Sequence, residues 1–168
     1  GVHGLSETYL YTVEALQQYY ARLTPGGILS MTRWVKFPPR DTIKLFATAV
    51  EALEALGIDD VGQHLISIRS WATCTLLIST TPFTPEEIAR VRQFCDARWF
   101  DTNYFPGITA QDANRYNQLP SAEHFQAAQA LLSDRRNDFY ATFPYYVKPA
   151  RDDRPYFFHF LKPALLPE

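Results

Sequence analysis

Apolar residues recur at helical spacing near the start of the chain, at Tyr9, Val13, Leu16, Tyr20 and Leu23, behind Ser6 as a candidate N-cap. That spacing predicts a helix, which Thr24-Pro25-Gly26-Gly27 brings to an end. The run over 28–34 that follows is almost continuously apolar, which predicts a central parallel strand covered on both faces. Phe37-Pro38-Pro39-Arg40 can continue neither element, and Asp41 then caps a second helix whose apolar positions are Ile43, Phe46, Ala47, Val50 and Leu53, stopped by Gly57. Two strands are expected over 64–71 and 73–79. They lie so close in sequence that they must pair antiparallel, because a parallel return needs a crossover. Thr84-Pro85-Glu86-Glu87 joins a threonine cap, a proline at the first helical position and a glutamate three residues after the cap, so a helix runs from there to about Arg98. Residues 99–106 suit one more short strand, and 112–119 and 121–132 are expected as helices.

The order helix, parallel strand, helix, then two strands of which the last is antiparallel, matches the closing half of a doubly wound sheet and lacks its opening half. The expected fold class is therefore α/β, the C-terminal half of a Rossmann-like sheet over 1–100 with a mostly helical extension over 101–168 that ends in an aromatic tail. No G-x-G-x-x-G occurs, and Gly26-Gly27 precedes a strand instead of following one, so it reads as a turn and not as a phosphate cradle. No repeat or flexible linker divides the 168 residues.

Composition narrows the partners. Lys+Arg 16 against Asp+Glu 18, for a net charge of -2, supplies no basic field for nucleic acid or an anionic lipid surface. No apolar run approaches the roughly 18 residues of a spanning helix, and the first residues are not basic-then-apolar, so a soluble, cytoplasmic piece is expected. Cys74 and Cys95 lack metal-ligand spacing and fit buried thiols in a reducing compartment. His3, His64, His124 and His159 are scattered, so no metal site is expected. Aromatic residues reach 15%, and the excess gathers in the tail.

Four blocks carry a resemblance: Ser6-Glu7-Thr8-Tyr9-Leu10-Tyr11-Thr12; Leu23-Thr24-Pro25-Gly26-Gly27-Ile28-Leu29; Thr32-Arg33-Trp34 with Pro38-Pro39-Arg40-Asp41; and Asp152-Asp153-Arg154-Pro155-Tyr156-Phe157-Phe158-His159-Phe160. Together they resemble bacterial spermidine-synthase-like proteins of the S-adenosylmethionine-dependent methyltransferase superfamily. The resemblance implies that residues 5–79 supply the last helices and strands of a Rossmann-like transferase. It also implies that the site for S-adenosylmethionine or its decarboxylated form is built from an upstream half of the same parent protein. Larger relatives carry membrane-spanning segments outside the catalytic domain, so the resemblance further implies that a parent could be attached to the inner membrane. Asn103-Tyr104-Phe105 does not reproduce the Tyr-Tyr-Asn/His stretch of a spermidine synthase, which leaves the transferred group, aminopropyl or methyl, open.

Arg33 and Trp34 fall at the C-terminal end of a strand, where open α/β sheets place ligands. With Lys36, Arg40 and Asp41 on the following loop they suit an anionic or carboxylate-bearing acceptor, arginine offering a bidentate fork. Alternatively the arginines pair with carboxylates of the same chain and Asp41 only caps its helix. Tyr11, off the apolar stripe, is a further acceptor-side candidate, whereas Tyr9 suits packing and Glu7 the helix N-terminus. In the tail, Asp152, Asp153, Arg154, Tyr156 and His159 read as structural or interaction residues, with the acidic pair expected to meet Arg33 or Arg40. The segment is too apolar to stay in water and must dock, on its own domain or on a partner such as a second copy. The sequence thus predicts the acceptor-side half of a transferase, with no catalytic, cofactor or metal residues of its own, or alternatively a non-catalytic module for dimerisation or membrane-side docking.

Overall fold

A computed structural model describes residues 7–162. Ser6 and His3 lie outside the described residues. The first helix, α1, spans Val13–Ala21, and its cap is Thr12, whose side chain accepts the Ala15 N–H at 3.1 Å. Tyr9 and Tyr11, expected in its first turns, occupy a separate 3-10 turn before the extended Thr12. Gly27 follows the helix in a turn so tight that a Cβ would come within 2.8 Å of the Thr24 carbonyl oxygen. This turn delivers the chain into β1, Ile28–Trp34.

Helix α2 spans Asp41–Ala55, and β2, Leu65–Arg69, and β3, Thr73–Ser79, form the expected antiparallel hairpin. Helix α3, Pro85–Arg98, opens with the complete capping box that Thr84 and Glu87 predict, and β4, Asp101–Tyr104, follows it. Helices α4, Glu123–Leu131, and α5, Arg136–Thr142, precede the tail.

The chain is α/β, with these strands in one sheet of order β1-β3-β2-β4, every neighbouring pair antiparallel. This corrects the expectation for residues 28–34. β1 pairs antiparallel with β3 and stands at an edge, and its residues alternate between half-buried and exposed. Ser30 and Thr32 interrupt the apolar run at alternate positions, in the register of one open face, a pattern that the large side chains around them obscure. Leu29, Met31 and Arg33 face α2 together with Leu76, Ile78 and Leu65, while Ile28, Ser30, Thr32 and Trp34 stand on the open face.

Helix α2 is the centre of the core. It packs between the sheet, α1 and α4, and is buried around nearly its whole circumference, Asp41 and Lys44 included. Residues 112–119 are turns and not a helix. The Asp101 carboxylate accepts the Arg115, Tyr116 and Asn117 N–H groups at 2.6, 2.9 and 2.8 Å, and so takes the donors a helix would have used. Asp101 is itself buried and ion-paired with buried Arg69 at 3.2 Å. No helix among the described residues is long and apolar enough to cross a membrane.

Candidate functional site

Two consecutive elements set the charges at the C-terminal end of β1. The strand alternation turns Arg33 toward α2, and the loop over 35–40 returns the chain so that Asp41 begins that helix. Asp41 does not cap: the cap position is Arg40, and the Asp41 carboxylate lies inside the fold, 1% exposed, at 3.1 Å from Lys36 Nζ and 3.5 Å from the Arg33 guanidinium. Arg33 also donates to the Tyr11 hydroxyl at 3.0 Å and lies over the rings of Tyr11 and Phe158, at 5.0 and 4.9 Å. The expected pairing of Arg33 or Arg40 with Asp152 and Asp153 does not form. Those two are exposed, and Asp41 holds Arg33 instead. The reason is distance along the chain: a carboxylate eight residues away reaches Arg33 at a fixed strand end, while the tail presents its aromatic side there.

The tail docks on its own domain. Phe157 is 0% exposed and stacks against Tyr11 at 4.8 Å, and the Thr8 N–H donates to the Pro155 carbonyl at 2.7 Å. Three cations enter the aromatic layer from the other side. Arg33 covers Phe158, Arg40 lies over Tyr145 and Phe160, and Lys44 sits beside Tyr146, Phe157 and Phe160. Lys44 Nζ donates to the carbonyls of Tyr156 and His159 at 3.0 and 3.1 Å, and burial pushes its ammonium down to about 8. His159 stacks on Tyr146, and Tyr156 is half-buried. Arg154 is exposed and closes a short turn by donating its N–H to the Arg151 carbonyl. Sequence reasoning missed Lys44. Its signal was the spacing Arg40, Lys44, two cations on one helix face in a chain whose unmatched surplus is aromatic.

The arrangement separates the acceptor-side candidates. Arg33 and Tyr11 are committed to each other, to Asp41 and to the tail. Arg40 makes no hydrogen bond or ion pair from its guanidinium among the described residues, so its fork keeps donors for a ligand. Trp34 is 66% exposed, and Phe37, three residues on, and Trp71 of the β2–β3 turn, 80% exposed, are also open to solvent. The Val35 N–H ties the two segments together by donating to the Ala72 carbonyl at 2.7 Å.

Both thiols are buried, Cys74 on β3 directly opposite Arg33. Burial raises Cys74 despite hydrogen bonds to Ser67 and Asn103, and pushes Cys95 up to about 11, so neither carries thiolate at neutral pH. Among the described residues no strand runs through a glycine-rich turn into a helix. No family model, curated protein or solved structure matches the chain.

Proposed function

We propose that this chain is the closing, acceptor-side portion of a Rossmann-like, S-adenosylmethionine-dependent transferase of the spermidine-synthase-like kind, not catalytic alone. One observation carries the reading: among the described residues the outer edge of β1 is unpaired. Gly27 O accepts from Thr80, and Val35 N–H donates to Ala72, so the odd-numbered residues of β1 bond to β3. The N–H and C=O groups of Ile28, Ser30, Thr32 and Trp34 then point outward, in a row that a further strand would satisfy. The open face of the same strand supports the same conclusion, because a strand of a doubly wound sheet is covered on both sides.

In this reading an upstream half adds a parallel strand to β1 and holds the adenosyl donor. Arg40 and Trp34 border the acceptor, with Arg40 offering its fork to an anionic group, while Arg33 and Tyr11 hold the strand end and the tail in place. Titration calorimetry with S-adenosylmethionine tests the division of labour. The chain alone is expected to give no binding, and a chain extended by the residues encoded upstream is expected to bind. In the extended chain Arg40→Ala raises the acceptor KM and leaves donor binding unchanged. Micromolar binding by the chain alone, or unchanged acceptor kinetics in Arg40→Ala, overturns the reading. The exposed aromatic side chains of Trp34, Phe37 and Trp71 favour one other reading, an interaction module, for which sedimentation would find a stable dimer of the chain itself.

A further inference from the structure

Beside Lys44, a cleft of about 710 Å³ that Arg33 does not line opens between α2, α5 and the segment 146–161. Its volume is in the range of small-molecule sites. Two of its arginines are already neutralised: Arg136 pairs with Glu54 at 2.5 Å, and Arg151 with Glu51 and Glu14. Lys148 and Arg154 also line it. They are exposed and have no ion-pair partner among the described residues, and with the Lys44 ammonium in the wall they face a single uncommitted carboxylate, Asp153. Because Arg151 is matched by two glutamates, the cleft with these partners holds five cations against four carboxylates, a net positive charge that, with Lys148 and Arg154 unpaired, favours an anionic group such as a phosphate monoester. The rest of the lining is aromatic. Tyr146 and His159 form a stacked pair on one wall, centroids 6.3 Å apart, and Tyr140 and Tyr156 stand on the others, so a planar ring would find faces to stack on.

We propose that this cleft binds a small molecule that joins a phosphate group to a planar aromatic ring. Lys148 and Arg154 take the phosphate, and the wall of Tyr146 and His159 takes the ring. The site is independent of the β1 edge, and its test touches no residue used there. Titration calorimetry with phenyl phosphate is expected to give saturable one-to-one binding, with inorganic phosphate and phenol each at least about tenfold weaker. Lys148→Ala and Arg154→Ala alter exposed side chains, so both fold. Each is expected to weaken phenyl phosphate at least about tenfold, the size of one charge-assisted hydrogen bond. Tyr146→Ala lowers affinity for phenyl phosphate and leaves that for inorganic phosphate unchanged. Absence of binding, phenyl phosphate no tighter than inorganic phosphate, or affinity unaffected by loss of Lys148 and Arg154 overturns the proposal.

Discussion

Asp101 joins β4 to both Arg69 and the turns over 112–119. It neutralises buried Arg69, and it receives three N–H groups from the 112–119 turns, while Arg69 reaches the same turns by donating to Asn117 O at 2.9 Å and Asn114 Oδ1 at 3.2 Å. Removing the charge leaves a buried guanidinium uncompensated, which typically costs about 3–5 kcal/mol. Asp101→Asn is therefore expected to lower stability by at least about 3 kcal/mol, read as a shift of the urea midpoint. His124 gives a pH signature. It is buried beside Thr42, with Nε2 at 3.0 Å from the hydroxyl, and desolvation first, then nearby Arg69, hold it down to about 3. The unfolded chain, with an ordinary histidine near 6.5, binds a proton that the folded chain refuses between these values. Its contribution is thus complete above pH about 6.5 and is lost as pH falls toward 3, at up to about 1.4 kcal/mol per pH unit. Urea midpoints at pH 7, 5 and 4 should decline less steeply in His124→Gln than in the parent, and parallel declines would exclude this role.

At the scale of elements, local chemistry was legible and partners were not. Thr84-Pro85-Glu86-Glu87 specifies the start of α3 within four residues, and the short gap between 64–71 and 73–79 leaves the hairpin no other geometry. The environment of β1 was misread because burial depends on which elements come to cover a strand, and a run such as Ile28, Leu29, Met31 and Trp34 has the same composition at a centre and at an edge. The missing helix over 112–119 has a similar cause, since Asp101 of the edge strand β4 captures its amides. Of the candidate site, the residue types at the end of β1 were readable. The buried use of Lys44 was not, because the tail that accepts its hydrogen bonds lies more than a hundred residues later. That tail is part of the core. Phe157 is fully buried against Tyr11, so Phe157→Ala is expected to cost about 3–5 kcal/mol. Removal of residues 152–168 is expected to abolish the cooperative urea transition; a truncated chain that stayed folded would show the tail to be an appendage.

For the whole molecule the sheet is asymmetric, and the asymmetry can be tested with two adjacent residues. At one side β4 is short and flanked by α3, but at the other β1 is seven residues long, carries no proline or lysine, and shows, among the described residues, one open face and one open edge. Edge strands left in this state pair with other chains unless something covers them. Proline at position 32 removes an N–H that points outward, so Thr32→Pro is expected to leave the chain folded, losing the Thr32–Thr75 side-chain contact of 2.8 Å and less than about 2 kcal/mol. Proline at position 31 removes an N–H bonded to β3 and places the ring inside the ladder, so Met31→Pro is expected to unfold it or to cost about 3 kcal/mol or more. Circular dichroism and urea midpoints distinguish these outcomes. The second half of the experiment concerns the neighbour. If β1 accepts a strand from an upstream half, Thr32→Pro in the extended chain abolishes donor binding although the isolated chain is intact, because only the added strand needs that donor. Equal damage from the two prolines in the isolated chain would mean that the edge is already occupied, and the case for a missing neighbour would fail with it.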